Sequence, residues 1–204
     1  MTKKAGGLFL SFTVIGFLMI YFFWPKYEKL PVLGSVSDFQ LQDVQGSTYQ
    51  LNNKKVKIVT FFYTRCPDIC PMTIVDLTKL QAQLQKEGVF GEKVELVTIS
   101  LDPEHDTPEA ILKYSQAFNT DPSGWEWLRG TEEETKEIAT RFNMQYQKLE
   151  GDFFSHSITM YLLDEKNQIR ALYDMANAND PLDTTQILGD ISVLIPSGFQ
   201  GKAP

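Results

Sequence analysis

The stretch from Lys57 to Pro71 constrains this chain most. Lys57–Tyr63 (Lys-Ile-Val-Thr-Phe-Phe-Tyr) is β-branched and aromatic almost throughout, the composition of a strand buried on both faces. Thr64-Arg-Cys66-Pro-Asp-Ile-Cys70-Pro71 follows at once. Met72–Glu87 then sets Ile74, Leu77, Leu80 and Leu84 at helical spacing before Gly88 ends the run. Both cysteines of the chain therefore fall between a central strand and its following helix, where open α/β sheets place their sites. Pro71 would break a helix interior, so it reads as the first helical residue, with Cys66–Cys70 as the loop or single turn ahead of it. Unpaired N–H groups and the positive end of the helix dipole favour a thiolate there.

Two cysteines cannot supply a four-ligand structural zinc site or a disulfide-dense scaffold. They leave one disulfide, one dithiol, or a two-sulfur metal site, against the plainer reading of an inert buried pair. Cu(I) is content with two sulfurs. The chain has two histidines. His156 follows Phe153-Phe154-Ser155 at the boundary of the apolar strand Ile158–Leu163; added to two thiolates it makes the S₂N set that Cu(II) tolerates, although a lone strand-end histidine is the commoner case. His105, in the loop Leu101-Asp-Pro-Glu-His-Asp-Thr-Pro108, reads as solvated, and Asp102 and Asp106 beside it read as turn and capping residues. Met72, Met144, Met160 and Met175 are scattered without a Met-x-x-Met cluster and read as core filler.

The remaining signals outline one α/β domain. Phe39–Asp43 and Ser47–Leu51 alternate around Gln45-Gly46, a hairpin pattern, and Val94–Leu101 is a second interior strand. Thr107-Pro108 opens a helix through about Phe118, and Thr131-Glu-Glu-Glu134 is a capping box for a helix reaching Phe142. Ser157–Leu163 and Gln168–Tyr173 flank the turn-like Asp164–Asn167 as a strand pair, and Asp180-Pro181 starts a last helix ending near Ile195. This order suggests a three-layer α/β sandwich with helices on both faces of a mixed sheet.

The N-terminus differs from all of this. Leu8 to Trp24 is 17 consecutive uncharged residues, almost all apolar, preceded by Lys3 and Lys4 and closed by Pro25. As a helix it rises ~26 Å, and ~30 Å with Ala5–Gly7, enough to cross a bilayer. The bulky, charged residues after it do not resemble a signal-peptide cleavage site, so it reads as an uncleaved anchor. A short basic N-terminus ahead of a large domain favours the C-terminal domain on the extracytoplasmic side of the cell membrane, as a single-pass protein. Net charge is −7 overall; residues 1–25 carry two lysines and no acid, which leaves −9 on the rest. With no basic stripe, nucleic-acid binding is excluded. The expected organisation is an anchor over 1–25, a tether over 26–37, a domain over 38–197 and a tail over 198–204.

Four motifs together resemble the Sco (SenC) family of membrane-anchored copper chaperones. They are Phe39, Leu41, Asp43 and Gly46 of the hairpin; Cys66-Pro-Asp-Ile-Cys70-Pro71; the loop Ser100 to Glu109; and His156-Ser157 before Tyr161-Leu162. Ser155 stands where members often carry Asp, so an orienting carboxylate beside the histidine is not implied. The resemblance implies a thioredoxin-like α/β/α sandwich with an added N-terminal β-hairpin behind one transmembrane helix. It implies copper, as Cu(I) or Cu(II), bound by Cys66, Cys70 and His156. It also implies delivery to the dinuclear copper centre of cytochrome c oxidase subunit II, or to another copper-receiving protein, with a thiol-disulfide reductant as a further partner. The alternative is a membrane-tethered thiol-disulfide oxidoreductase, an enzyme whose Cys66 and Cys70 reduce the cysteines of the receiving protein. No peroxidatic cysteine environment is recognisable.

Overall fold

The computed structural model describes residues 13–16, 19, 30–148 and 154–195. Residues 13–16 and 19 are helical; among the described residues from Gly34 to Leu194, ten strands and four helices follow in the order β1 (Gly34–Ser35), β2 (Gln40–Asp43), β3 (Thr48–Gln50), β4 (Val56–Phe62), α1 (Ile69–Lys86), β5 (Val94–Ser100), α2 (Pro108–Ala117), β6 (Trp125–Arg129), α3 (Glu132–Arg141), β7 (Tyr146–Lys148), β8 (Phe154–His156), β9 (Thr159–Leu163), β10 (Gln168–Asp174) and α4 (Thr184–Leu194). Eight strands form one mixed sheet in the order β1-β10-β9-β4-β5-β6-β2-β3, and β7 and β8 form a separate two-stranded sheet. The pairs β4–β5 and β5–β6 are parallel, and all the other pairs are antiparallel.

Every residue of β4 and β5 is buried, because both faces of the sheet are covered. Alternation along β4 sends Ile58 and Phe62 to one side and Val59 and Phe61 to the other. The first side packs on α1, α2 and α4 through Ile74, Leu77, Leu80, Leu84, Ile111, Ile187 and Ile191. The second packs on Ile138 and Ala139 of α3, on Phe142 and on the hairpin residues Leu41 and Tyr49. Each fully buried Leu or Ile contributes roughly 1.5–3 kcal/mol of transfer free energy, which is what holds helices to both faces. The expected three-layer arrangement and N-terminal hairpin are thus present.

Local chemistry sets most element ends. Gly46 takes φ +89° in the β2–β3 turn, a conformation that suits glycine. Thr107 caps α2 by accepting from the Ala110 N–H, and Thr131 and Glu134 form the expected reciprocal box at α3. Four points of the sequence reading need correction. Helix α1 begins at Ile69, not Pro71, so Cys70 lies inside its first turn; Pro71 is tolerated there because the first turn's N–H groups have no intrahelical acceptor. Strand β6 went unread, because five residues containing Glu126 and Arg129 carry no clear alternation. The last helix starts at Thr184 with Asp183 as its cap, and His156 ends β8 in the small sheet instead of opening β9.

The predicted anchor, Leu8–Trp24, lies largely outside the described residues; among those, no helix is long and apolar enough to cross a membrane. Residues 198–204 also lie outside them. From Leu30 onward the stretch read as tether is joined to the sheet. Gly34–Ser35 pair with β10 as its edge neighbour, and the Arg170 guanidinium donates to the carbonyls of Leu30 and Pro31.

Candidate metal centre

Strand β4 ends at Phe62, and the chain turns through Tyr63–Asp68 into α1. A backbone bond from the Cys66 N–H to the Tyr63 carbonyl (3.1 Å) closes that turn. Cys66 is half-buried and Cys70 is fully buried, and neither is in a disulfide. The Cys70 N–H, in the first turn of α1, donates to the Cys66 sulfur at 3.4 Å. The N-terminal donors of the helix are therefore aimed at Cys66.

The two sulfurs respond oppositely. A hydrogen bond from the Cys70 thiol, assisted by the N–H groups of Asp68 and Cys70 and by the Tyr63 hydroxyl, brings Cys66 down to about 5. The same bond to Cys66, then burial, pushes the Cys70 thiol far up. Near neutral pH the pair is a thiolate at Cys66 held by a thiol at Cys70. Burial first, then the charge of Cys66, pushes Tyr63 up to about 12, so its phenol stays a donor.

A second loop braces the first. Asp106, fully buried, accepts from the Thr64 N–H (3.0 Å), from the Thr64 hydroxyl and from the Ser100 hydroxyl. Burial raises its carboxyl. Asp102 accepts from Arg65 at 2.9 Å and lies 3.0 Å from Nδ1 of His105. Burial opposes its ionisation, but the hydrogen bonds from His105 and Arg65 outweigh that and hold its carboxyl below the usual range. Asp102 and Asp106, expected as turn and capping residues, instead tie the loop after β5 to the loop after β4. His105, expected as solvated, belongs to the Arg65–Asp102 cluster. Sequence spacing carries no signal for such contacts across some forty positions.

His156 reaches the same end of the sheet from the β7–β8 hairpin, where it pairs with Tyr146. Its Nδ1 lies 2.9 Å from the Ser157 carbonyl oxygen. A carbonyl can only accept, so Nδ1 is the donor of this bond, and in the neutral ring Nε2 is the nitrogen with the lone pair that a metal takes. The imidazole packs edge-on against Tyr63 (6.4 Å between ring centroids, 83°), which also touches Phe154 at 5.2 Å. The fold thus brings Cys66 and Cys70 into contact and sets His156 one aromatic ring away. Among the described residues, the only three His, Cys, Asp or Glu ligand atoms within 4.8 Å of one another belong to Asp102, Glu104 and His105. Those acids are already partnered: Asp102 by Arg65, and Glu104 by Lys148 at 2.6 Å. Met144, Met160 and Met175 are buried, the core positions expected of them.

Two soft sulfurs with a free imidazole nitrogen nearby suit Cu(I), or Cu(II) once the histidine closes. The same dithiol can also exchange with a disulfide.

A model described as SCO1/SenC matches residues 32–189. The chain is 31% identical over 146 residues to an SCO2-like protein of Rickettsia conorii, covering 68% of this chain and 67% of that protein. Among solved structures it resembles Arabidopsis thaliana ScoI with copper bound, with TM-score 0.65 and 29% identity over 79% of this chain and 98% of that one. It also resembles BsSco, described as having a disulfide switch and belonging to the Sco family of cytochrome c oxidase assembly proteins, with TM-score 0.70 and 25% identity over 82% and 98% of the two chains.

Proposed function

Since this chain belongs to the SCO1/SenC family, with its thioredoxin-like α/β fold, we propose that it is a copper chaperone of cytochrome c oxidase assembly, with Cys66, Cys70 and His156 as the ligands. The observation that carries this reading is the free Cys66–Cys70 pair at the start of α1, with His156, tied through Nδ1 to the Ser157 carbonyl, one ring away. Cu(I) enters as cargo at the two sulfurs, and the Cys70 proton leaves to solvent. His156 completes the set when the β8–β9 turn moves its ring past Tyr63. Exchange with a partner disulfide, which takes up two electrons and two protons and leaves as a dithiol, converts the pair to a Cys66–Cys70 disulfide and removes both thiolates, so redox state governs release. The recipient is the copper-receiving subunit II of the oxidase or another copper protein. Residues 1–25 anchor the domain on the extracytoplasmic face of the cell membrane.

Copper titration of the reduced protein against a chromophoric chelator tests the assignment. Binding of about one ion per chain is expected, lost by more than 100-fold in Cys66→Ser and Cys70→Ser. A smaller loss, with disappearance of the Cu(II) thiolate charge-transfer band, is expected in His156→Ala. Unchanged affinity in all three variants would falsify it.

The opposed protonation of the two cysteines favours a second reading, as a thiol-disulfide oxidoreductase. The Cys66 thiolate attacks a partner disulfide, forming a mixed disulfide and expelling one partner thiolate. Cys70, losing its proton, then attacks the Cys66 sulfur; the partner leaves as a dithiol, and the two electrons it gained leave Cys66–Cys70 oxidised. A thiol reductant regenerates the pair. Here His156→Ala leaves the exchange rate unchanged, whereas the chaperone reading needs that side chain.

A further inference from the structure

The large apolar side chains that the domain leaves in water gather at one edge of it. Of the seven exposed among the described residues from Leu30 onward, four are Val32, Leu33, Leu172 and Val193. Val32 (55%), Leu33 (54%) and Leu172 (51%) are the most exposed of the seven, so they add little to the core. Val32 and Leu33 lead into β1, the edge strand of the large sheet, and Leu172 lies on β10, which pairs with it. Val193, near the end of α4, lines a shallow cleft with Lys166 and Arg170. Apolar side chains scattered singly over a surface need no account, but a gathered set marks a place that meets lipid or protein.

The backbone keeps this set in place. Arg170 donates to the carbonyls of Leu30 and Pro31, and the Leu33 N–H donates to the Ile169 carbonyl at 2.8 Å. The strap that carries Val32 and Leu33 is therefore fixed to β10 with both side chains left in water, where apolar surface is unfavourable. The course of the chain favours lipid as what covers them. With residues 1–25 as the anchor, residues 26–29 alone separate the bilayer from Leu30, the first clamped position. This edge is the part of the domain that the chain itself delivers to the membrane surface.

We propose that the β1–β10 edge rests on the bilayer through Val32, Leu33 and Leu172, with Val193 beside them, and so fixes how the metal site faces its recipient. The inference rests on the anchor reading of residues 1–25. Burial of these side chains at the headgroup boundary supplies the attraction. The consequence is geometric. With its edge strand on the lipid the sheet stands upright, and its strands run close to the membrane plane. Strands β10 and β9 lie between β1 and β4, and three spacings of about 4.8 Å hold β4 roughly 14 Å above the edge strand. Cys66 and Cys70, beyond the carboxyl end of β4, then open sideways at that height, toward a protein standing in the same membrane.

The test uses the full chain in phosphatidylcholine nanodiscs that carry a small share of lipid with a nitroxide on its headgroup, read by the line widths of backbone amides in NMR. The amides of Leu33, Ile169 and Leu172 should broaden strongly, and those of Thr48–Gln50, in β3 at the far edge of the sheet, should not. Val32→Glu combined with Leu172→Glu changes two exposed side chains, so melting temperature and copper affinity should stay at their wild-type values. The broadening at Ile169 should fall severalfold in that variant, which tethering alone does not predict. Equal broadening at the two edges, or broadening at Ile169 that survives the double substitution, would overturn the proposal. Shift changes at these amides that grow with protein concentration in lipid-free detergent would assign the edge to a second copy of the chain and overturn it as well. Failure of the wild-type chain to enter nanodiscs overturns the anchor reading and this inference together. Entry without broadening at the edge overturns the inference alone.

Discussion

The two ends of the β4–β5 ladder bury polar groups in opposite ways. At the amino end, Lys57 and Glu95 face each other in register, both fully buried. Glu95 accepts from Tyr49 and Asn53 at 2.6 Å each and pairs with Lys55 at 3.3 Å, while the Lys57 ammonium donates to the Lys55 carbonyl at 2.6 Å. Opposite charges and fixed donors close this cluster within the protein. At the carboxyl end, Phe62 and Ser100 face each other in the same register, and the groups near them are the cysteines Cys66 and Cys70 and the carboxyls of Asp102 and Asp106, none of which carries positive charge. Arg65 is the cation bonded there, and it is spent on Asp102. One end has its charged groups bonded to one another within the protein; the other is short of positive charge. The same two strands thus carry a lock at one end and a place for a cation at the other, and a sheet that is rigid at its base can hold a site whose charges are unbalanced.

The sharpest way to break this contrast is at the lock. Glu95→Ala leaves Lys57 buried without its opposite charge and should cost about 3–5 kcal/mol in denaturant unfolding, with little change in copper affinity of the folded protein. A loss below ~1 kcal/mol would mean the amino end is no lock.

Alkaline pH probes the same cluster. Burial, opposed by Glu95, brings Lys57 down to about 8, below its unfolded value of 10.5. The folded chain therefore sheds this proton first. Stability should rise as pH climbs from about 8, by up to on the order of 3 kcal/mol from this group alone. Burial holds the Tyr49 hydroxyl well above its unfolded value of 10.0, so the folded chain resists that ionisation and stability falls again above pH 10. A maximum between pH 8 and 10, abolished in Lys57→Met, is the expected profile.

At the other end, Asp106→Asn keeps the side-chain volume but offers one acceptor where two oxygens now serve Thr64 and Ser100. A loss of about 1–2 kcal/mol is expected, together with weaker copper binding as the loop carrying Cys66 loosens. Stability and affinity moving apart would uncouple this brace from the site. The smallest effect is expected on the surface. Lys136→Ala removes an exposed ion pair with Glu132 (2.6 Å) and should leave the denaturant midpoint almost unmoved, with no difference from wild type in high salt.

What could be read from the sequence follows the same division. Local signals gave the β2–β3 hairpin, both interior strands and the caps at Thr107 and Thr131, because each is written within a few residues. Strands β1, β7 and β8 have two or three residues each and no period to detect. At the site, the cysteines were legible from Pro71 and the strand-to-helix junction. The contacts of Asp106 with Thr64, of Arg65 with Asp102, and of Tyr63 with His156 were not. They join loops that only the folded sheet brings together, and no hydropathy pattern records them.

The clamp of Arg170 on Leu30 and Pro31 bears on reach. With residues 1–25 proposed as the anchor, four residues, Lys26 to Lys29, separate Pro25 from the first clamped position. Fully extended, that leash spans roughly 17 Å. The domain would sweep a shell not much thicker than its own radius, so meeting a recipient in the same membrane becomes a search over a surface instead of a volume. Encounter would then depend on lateral diffusion and on local crowding of the two partners, with cargo transfer tolerating an affinity that would be too weak in free solution.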